Sequence, residues 1–484
     1  MVRPPDLLVV VIPGIGGTRL VDARGHTAYE GTPADLLDPK RIAALVDDKP
    51  LTPRGLLRDW RVCRFWTPLH GYEQLLTCAR IASGSGPSEV DDGTGEPNLD
   101  ATVVGFGYDF RLGVRPASEQ LARDLSRRVE RLWPKTAQRR GRVVLLGHSM
   151  GGLVARHLVA TSSLASCIRA VVTLGTPHRG APKAVEVMAN GYPVRVLGVR
   201  VGHVQSFAPI ARSWPGMSDL LPQYPVVPQP ETSVPSPRLV RPVESDLEWL
   251  AQAARWGTVT HKEIRDGWRG LDEPPEVVPR LGFGHATLRA VTRRGNNLSV
   301  GTGAGDLATP EGTYWDNDLG DGTVPATSAV PLELGQHRPR DFRVAARHGG
   351  LVTMDVTEIL RSFRSAPPVP SVYMAEDKPY DTSIGLDLDE LVSAASPINV
   401  TATVWQRLGQ SVSKRCENLP RELTVQVVPH APGEPVGRVI LSRREDGVFE
   451  GTIPPLKAGL FDVQLHASAL RHEPVHQLID VFDG

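Results

Sequence analysis

The chain is predicted to fold as an α/β protein, a mostly parallel sheet with helices on both faces and a cap insertion, followed by an all-β sandwich. Three observations predict this. Short apolar runs alternate with amphipathic segments across residues 1–180, the pattern of strands joined by covering helices. A strand-like run at 143–146 breaks into a glycine-flanked serine and then into a helix-like segment. From residue 391 the texture changes to short alternating strands between turn residues, as in a two-layer β fold.

Each element has its own justification. Residues 7–12 are six consecutive apolar side chains, long enough for a buried strand but too short for a signal-peptide core or a membrane span. Residues 101–105 and 168–174 read the same way. In 118–133, Leu121, Leu125, Val129 and Leu132 recur at three- and four-residue steps among arginines, which predicts an amphipathic helix with Ser118 as its cap and a solvated arginine face. From about 182 to 275 Pro-rich pieces such as Tyr224-Pro-Val-Val-Pro-Gln-Pro interrupt the pattern, as expected of a cap inserted into the core. At 50–70, Trp60, Phe65 and Trp66 interleave with Leu56, Leu57 and Val62, a pattern equally suited to a mobile aromatic lid and to a satellite core. The core is expected to close with a helix at 354–363, giving a first domain over 1–365, a linker over 366–390, and an immunoglobulin-like sandwich over 391–484. Strands are expected at 399–405, 422–428, 438–441, 448–452 and 461–465.

Composition narrows the function classes. Lys+Arg and Asp+Glu both total 54, so no global field argues for nucleic acid. No apolar stretch approaches the length of a transmembrane helix, and residues 1–6 lack the architecture of an export signal. The expectation is a cytoplasmic protein with peripheral membrane contact at most. The four cysteines, Cys63, Cys78, Cys167 and Cys416, show no metal spacing. Free thiols are the expected state in the cytosol, and a Cys63–Cys78 bridge is the alternative in an oxidising compartment.

The chemistry centres on residues 142–157, Arg-Val-Val-Leu-Leu-Gly-His-Ser-Met-Gly-Gly-Leu-Val-Ala-Arg-His. This is a Gly-x-Ser-x-Gly elbow in its strand-to-helix context, which presents Ser149 as a nucleophile above a sheet. A serine needs a base and the base an orienter, arriving in the order Ser, acid, His. Asp321, in Asp318-Leu-Gly-Asp-Gly-Thr-Val-Pro, and His348, in His-Gly-Gly, fit that order. Asp316, Asp318 and His337 are the backups. The glycine-rich turn Pro13-Gly-Ile-Gly-Gly17 follows the first strand, so Ile15 or Gly16, with Met150, is expected to donate to a developing oxyanion. A phosphate-cradling turn would need a different spacing. His148 precedes the nucleophile and is read as structural, and His178 as lining the pocket or bonding its own loop. Asp109 with Arg111 reads as a structural ion pair. Trp60, Trp66, His178, Leu220 and Leu221 are the candidate substrate-pocket residues, with Phe207, Trp214 and Met217 nearby in the insert. Neither metal nor cofactor is required.

Pro13-Gly-Ile-Gly-Gly, Gly107-Tyr-Asp-Phe-Arg111, Gly147-His-Ser-Met-Gly151, Leu174-Gly-Thr-Pro-His-Arg-Gly180, Leu220-Leu-Pro222 and Gly320-Asp-Gly-Thr-Val324 occur in this order. As a set, spanning about residues 6–365, they resemble the lecithin:cholesterol acyltransferase-like proteins, with Phe110 standing where that family has tryptophan. The resemblance implies an α/β-hydrolase acting on acyl esters, often phospholipids, with Ser149, Asp321 and His348 as triad and oxyanion donors from the 14–17 turn and Met150. The expected function is a serine-dependent acyl-ester hydrolase of lipase, phospholipase A or esterase type, working through an acyl-enzyme on a lipid-like ester. The alternatives are an O-acyltransferase with an alcohol or sterol acceptor, a peptidase on the same triad, and a binding or scaffold protein on an inactive shell. The C-terminal β region lies outside the resemblance and is expected to meet a protein or surface partner.

Overall fold

A computed structural model of the chain describes residues 5–31, 35, 39–46, 50–58, 71–135, 138–196, 199–204, 207–229, 239–302, 320–334, 342–344, 346–364, 382–388, 391–394, 396–408, 412–415, 419–429, 436–445, 447–467, 470 and 475–482. Seven strands form the first sheet: β1 (Leu8–Ile12), β2 (Val90–Asp91), β3 (Val103–Gly105), β4 (Val143–His148), β5 (Ile168–Leu174), β6 (Glu276–Gly282) and β7 (Arg343–Val344). Their spatial order is β7-β6-β5-β4-β1-β3-β2, and every neighbouring pair is parallel.

The runs are apolar throughout because both faces are covered. Leu8, Val10 and Ile12 join one buried cluster, while Leu7, Val9 and Val11 join another on the opposite face. Helices α1 (Glu73–Ser83), α2 (Val114–Leu132), α3 (Met150–Thr161), α4 (Pro182–Asn190), α5 (Glu248–Arg269) and α6 (Thr357–Ser362) supply the cover. Leu121 and Leu125 of α2, Leu153 and Leu158 of α3 and Leu250 of α5 pack on the first face. Leu75 of α1 and Leu360 of α6 pack on the second. This is the α/β-hydrolase architecture. The chain leaves β1 towards β3 on one side and crosses to β4 on the other, so the order reverses around β1. Parallel sheets place their sites in the crevice at such a reversal, beyond the carboxyl ends of the strands. Ile12 and Gly147, the last residues before the glycine-rich turn and just before the elbow, stand in register there.

Several local expectations change. Helix α2 begins at Val114, after Gly113 with φ of 92°, because the Asp219 carboxylate accepts the Val114 amide at 2.7 Å. A tertiary contact does the capping. Ser118 lies inside the helix and bonds His157 Nδ1 at 2.9 Å. The arginine face is not wholly solvated: Arg128 is buried between Asp91 and Asp124, each at 2.7 Å, where its fork holds the carboxylate of edge strand β2. The segment expected as a cap contains α5, whose Gly267 lies directly against the Ala160 carbonyl of α3. Helix α5 therefore packs directly on α3. Helix α6 starts at Thr357, where Asp355 Oδ1 accepts the Thr357 amide at 2.9 Å, and the residues before it form the tight turn Gly349–Thr353. Among the described residues no helix is long and apolar enough to cross a membrane.

The second sheet contains β8 (Thr382–Leu388), β9 (Leu391–Ser393), β10 (Ile398–Leu408), β11 (Val412–Arg415), β12 (Glu422–Pro429), β13 (Gly437–Arg443), β14 (Val448–Ile453), β15 (Gly459–His466) and β16 (Val475–Phe482). Its path is β8-β10-β14-β13-β12-β15-β16-β9, with β11 added on β10. All pairs are antiparallel except β9 with β16. Strands β8 and β9 are two residues apart in the chain yet occupy opposite ends of the path. The sheet therefore curls back on itself as a half-barrel around Val400, Val425, Leu441, Phe449, Val463 and Ile479. The five expected strands are all present. Strand β8 lies where a linker was expected; its buried Ile384, Leu386 and Leu388 alternate as a half-buried strand requires.

Candidate active site

Ser149 has φ of 52° and ψ of −125°, and it is the one non-glycine with positive φ among the described residues. Strain of this kind costs on the order of 1–3 kcal/mol and persists only where the surroundings enforce it. Here they do. A Cβ on Gly147 would sit 2.5 Å from the Gly152 amide nitrogen, and one on Gly151 would collide with the Ile12 carbonyl oxygen. Only glycines let β4, α3 and β1 approach this closely.

The three residues selected from the sequence converge. His348 Nε2 is 3.0 Å from Ser149 Oγ, and His348 Nδ1 is 2.7 Å from Asp321 Oδ2. Asp321 is held on all sides: its Oδ1 accepts the Thr323 and Val324 amides at 2.9 and 2.7 Å, and its carbonyl accepts the His348 amide at 2.9 Å. Burial pushes the Asp321 carboxyl up, but the His348 charge, the His348 bond and the two amides outweigh it and hold it below its ordinary value. The carboxylate thus stays ionised and fixes the proton of His348 on Nδ1, leaving Nε2 to accept from the serine hydroxyl. Ser149 and Asp321 are buried, while the His348 side chain is 16% exposed.

The glycine-rich turn lies against Ser149. A Cβ on Gly14 would be 2.8 Å from Ser149 Cβ and 3.3 Å from its Oγ. The Gly14 amide is taken by Tyr72 Oη at 2.9 Å and the Gly17 amide by the Gly14 carbonyl at 3.0 Å. The amides of Ile15 and Gly16 have no acceptor among the described residues. The Met150 amide, first of α3, stands outside the helical ladder with the partial positive charge of the helix terminus behind it.

The remaining candidates take other places. Tyr108 donates to the Pro13 carbonyl at 2.8 Å and so anchors the turn. Arg111 grips Asp109 through two bonds of 3.0 and 2.7 Å, a buried pair that braces the Tyr-Asp-Phe-Arg segment. Phe110 packs edge-on against Trp214 and Tyr29. His178 is buried between Thr173 Oγ1 and Arg156 Nη1, each at 3.2 Å. It lines a cavity of about 410 Å³ with Arg156, Arg179, Tyr224, His261 and Arg265, and no triad residue lines that cavity. Arg156, stacked on Trp268, is also paired with Glu333. Leu220 and Leu221 are buried in the main core cluster. Trp60, Phe65, Trp66, Cys63, Cys416, Asp316, Asp318 and His337 lie outside the described residues. Cys78 and Cys167 are buried free thiols. Among the described residues no group of three His, Cys, Asp or Glu side chains could hold a metal ion.

Sequence reasoning did not find Tyr72. Its neighbours give no motif, and its role depends on a hydroxyl brought beside Gly14 and His148 from 58 and 76 residues away.

A family described as the PGAP1-like alpha/beta domain matches residues 117–192, the segment that carries the elbow. No curated protein matches the chain. Among solved structures, the chain is similar to the Tle4–Tli4 complex at 16% identity and a TM-score of 0.48, over 76% of this chain and 99% of that one. It is similar to the Bacillus licheniformis lipase BlEst2 in propeptide form at 9% identity and a TM-score of 0.28, over 99% and 94% of the two chains. It is also similar to the phospholipase PlaB from Legionella pneumophila at 8% identity and a TM-score of 0.21, over 98% and 90%.

Proposed function

We propose that the chain is a serine-dependent acyl-ester hydrolase acting through an acyl-enzyme. The observation that carries this reading is the continuous hydrogen-bonded line from Asp321 through His348 to Ser149, with bonds of 2.7 and 3.0 Å. His348 Nε2 takes the hydroxyl proton as Ser149 Oγ attacks the ester carbonyl carbon. The tetrahedral oxyanion is received by the Met150 amide together with that of Ile15 or Gly16. Collapse expels the alcohol, which leaves with the proton from His348. A water molecule then gives its proton to His348 as its oxygen attacks the acyl carbon; the bond to Ser149 Oγ breaks, His348 returns the proton to Oγ, and the carboxylic acid is released.

A lipid-like ester is the substrate class we favour, on the set of motifs shared with the lecithin:cholesterol acyltransferase-like proteins. If an alcohol rather than water takes the acyl group, the same site performs O-acyl transfer. A panel of acyl esters and phospholipids of graded chain length, run with and without added alcohol, tests both statements. Release of free acid that depends on Ser149 and His348 supports hydrolysis. Acyl product appearing mainly on the added alcohol would move the assignment to transfer. Turnover unchanged in Ser149→Ala would refute the reading.

A further inference from the structure

Behind the triad lies a second set of bonds that the proposed reaction does not use. The Gly14 amide reaches Tyr72 Oη at 2.9 Å, Tyr72 Oη reaches His148 Nδ1 at 2.9 Å, and His148 Nε2 reaches the His348 carbonyl at 3.1 Å. With His148 neutral, the form its burial favours, the two ends fix every proton between them. A backbone amide can only donate and a carbonyl can only accept. Tyr72 therefore accepts from Gly14 and spends its one proton on His148 Nδ1. His148 must then be the neutral Nε2–H tautomer, donating to His348. Tyr72 and His148 are both buried, so water does not compete for these positions.

We propose that Tyr72 and His148 are positioning residues that tie the oxyanion turn to the backbone of the catalytic base, so that both keep one register around Ser149. The proposal rests on the triad reading above. The arrangement has two consequences. The first is that Gly14 is removed from the set of oxyanion donors, because its amide is already spent, and the task passes to Ile15 or Gly16. The second concerns charge. The His148 ring lies 4.9 Å from the His348 ring, which becomes cationic in each half-reaction. A second cation there would oppose it and would also reverse the bond from Tyr72. Burial first, then the His348 charge, lowers the His148 pKa to about 3, against the opposing influence of the His348 carbonyl and Asp321. The ring therefore stays neutral and keeps accepting from Tyr72, whose own hydroxyl burial pushes its pKa up.

Two measurements test the chain of bonds. In steady-state kinetics, Tyr72→Phe and His148→Leu should lower kcat by roughly tenfold or more while KM and the melting temperature change little, the pattern of an interaction realised in the transition state. His148→Gln, which offers both an acceptor and a donor, should recover part of the loss. The second measurement needs no turnover: nitrogen NMR of histidine-labelled protein should show His148 neutral and protonated on Nε2 from pH 7 to 5, and Tyr72→Phe should disturb that state. Protonation of His148 on Nδ1, or kcat within about twofold of wild type in both Tyr72→Phe and His148→Leu, would overturn the proposal. An inert wild-type protein with the expected His148 tautomer would instead count against the catalytic reading and leave the bond chain standing.

Discussion

At the scale of single residues, the site depends on which atoms are already committed. Asp321 has both carboxylate oxygens and its carbonyl engaged by His348 and two amides, so Asp321→Asn can keep the packing while presenting the wrong partner to Nδ1. It should lower kcat by about 10⁴ with little change in melting temperature, measured by ester hydrolysis beside thermal unfolding. Gly14→Ala should be comparably selective. Its backbone φ is not in the left-handed region, but the new methyl would press on Ser149 Cβ at 2.8 Å. Turnover should fall by on the order of 10²-fold or more, as misplacement of a reacting group does, while the fold survives. Ser149, Asp321 and His348 were legible in the sequence because the elbow has a defined local context and its partners follow in a fixed order. Tyr72 was not, because nothing local distinguishes a tyrosine whose hydroxyl happens to meet a distant amide.

At the scale of elements, sequence periodicity located strands and helices well and their ends poorly. The apolar runs at 8–12, 143–148 and 168–174 are unmistakable because both faces are buried. The start of α2 is not, since its cap is a carboxyl oxygen of Asp219 from 105 residues away. Burial raises the Asp219 pKa to about 7, against the Val114 amide and Thr260 bonds that lower it. The folded chain therefore keeps a proton that the unfolded chain releases in the ordinary carboxylate range. Through the window up to about pH 7 the folded state binds more protons, and stability falls as pH rises, by at most about 1.4 kcal/mol per pH unit. Asp219→Asn removes this titration, so its melting temperature relative to wild type should be more favourable at pH 8 than at pH 5. A constant difference across that range would contradict the assignment. The length and regularity of α5 were not legible, because prolines on either side suggested an irregular insert. Its Gly267 touches the α3 backbone, and Gly267→Ala should cost about 1–3 kcal/mol by forcing the two helices apart, read from denaturant unfolding.

At the scale of the whole molecule, the fold class was legible because two textures, alternating strands and helices and then strands alone, occupy successive lengths of chain. What the pattern could not supply was the polar interior. His148, His178 and His261 are all buried, and desolvation comes first among the causes that depress each of them, to about 3 for His148 and about 4 for His261. Unfolding lets them take up protons below their ordinary value of about 6.5. Stability is therefore lost as pH falls from there towards 4, by up to about 1.4 kcal/mol per pH unit for each. His261→Gln should narrow the gap in melting temperature between pH 7 and pH 5, and an unchanged gap would show that His261 is not part of this acid sensitivity. In the proposed reaction one hydroxyl, on the strained turn between β4 and α3, is made nucleophilic by His348. The most direct test is the reaction of the intact protein with a fluorophosphonate, followed by peptide mass spectrometry. A single phosphonyl adduct is expected on Ser149, formed far more slowly in His348→Ala and absent in Ser149→Ala. No adduct on Ser149 in the folded wild-type protein would contradict it.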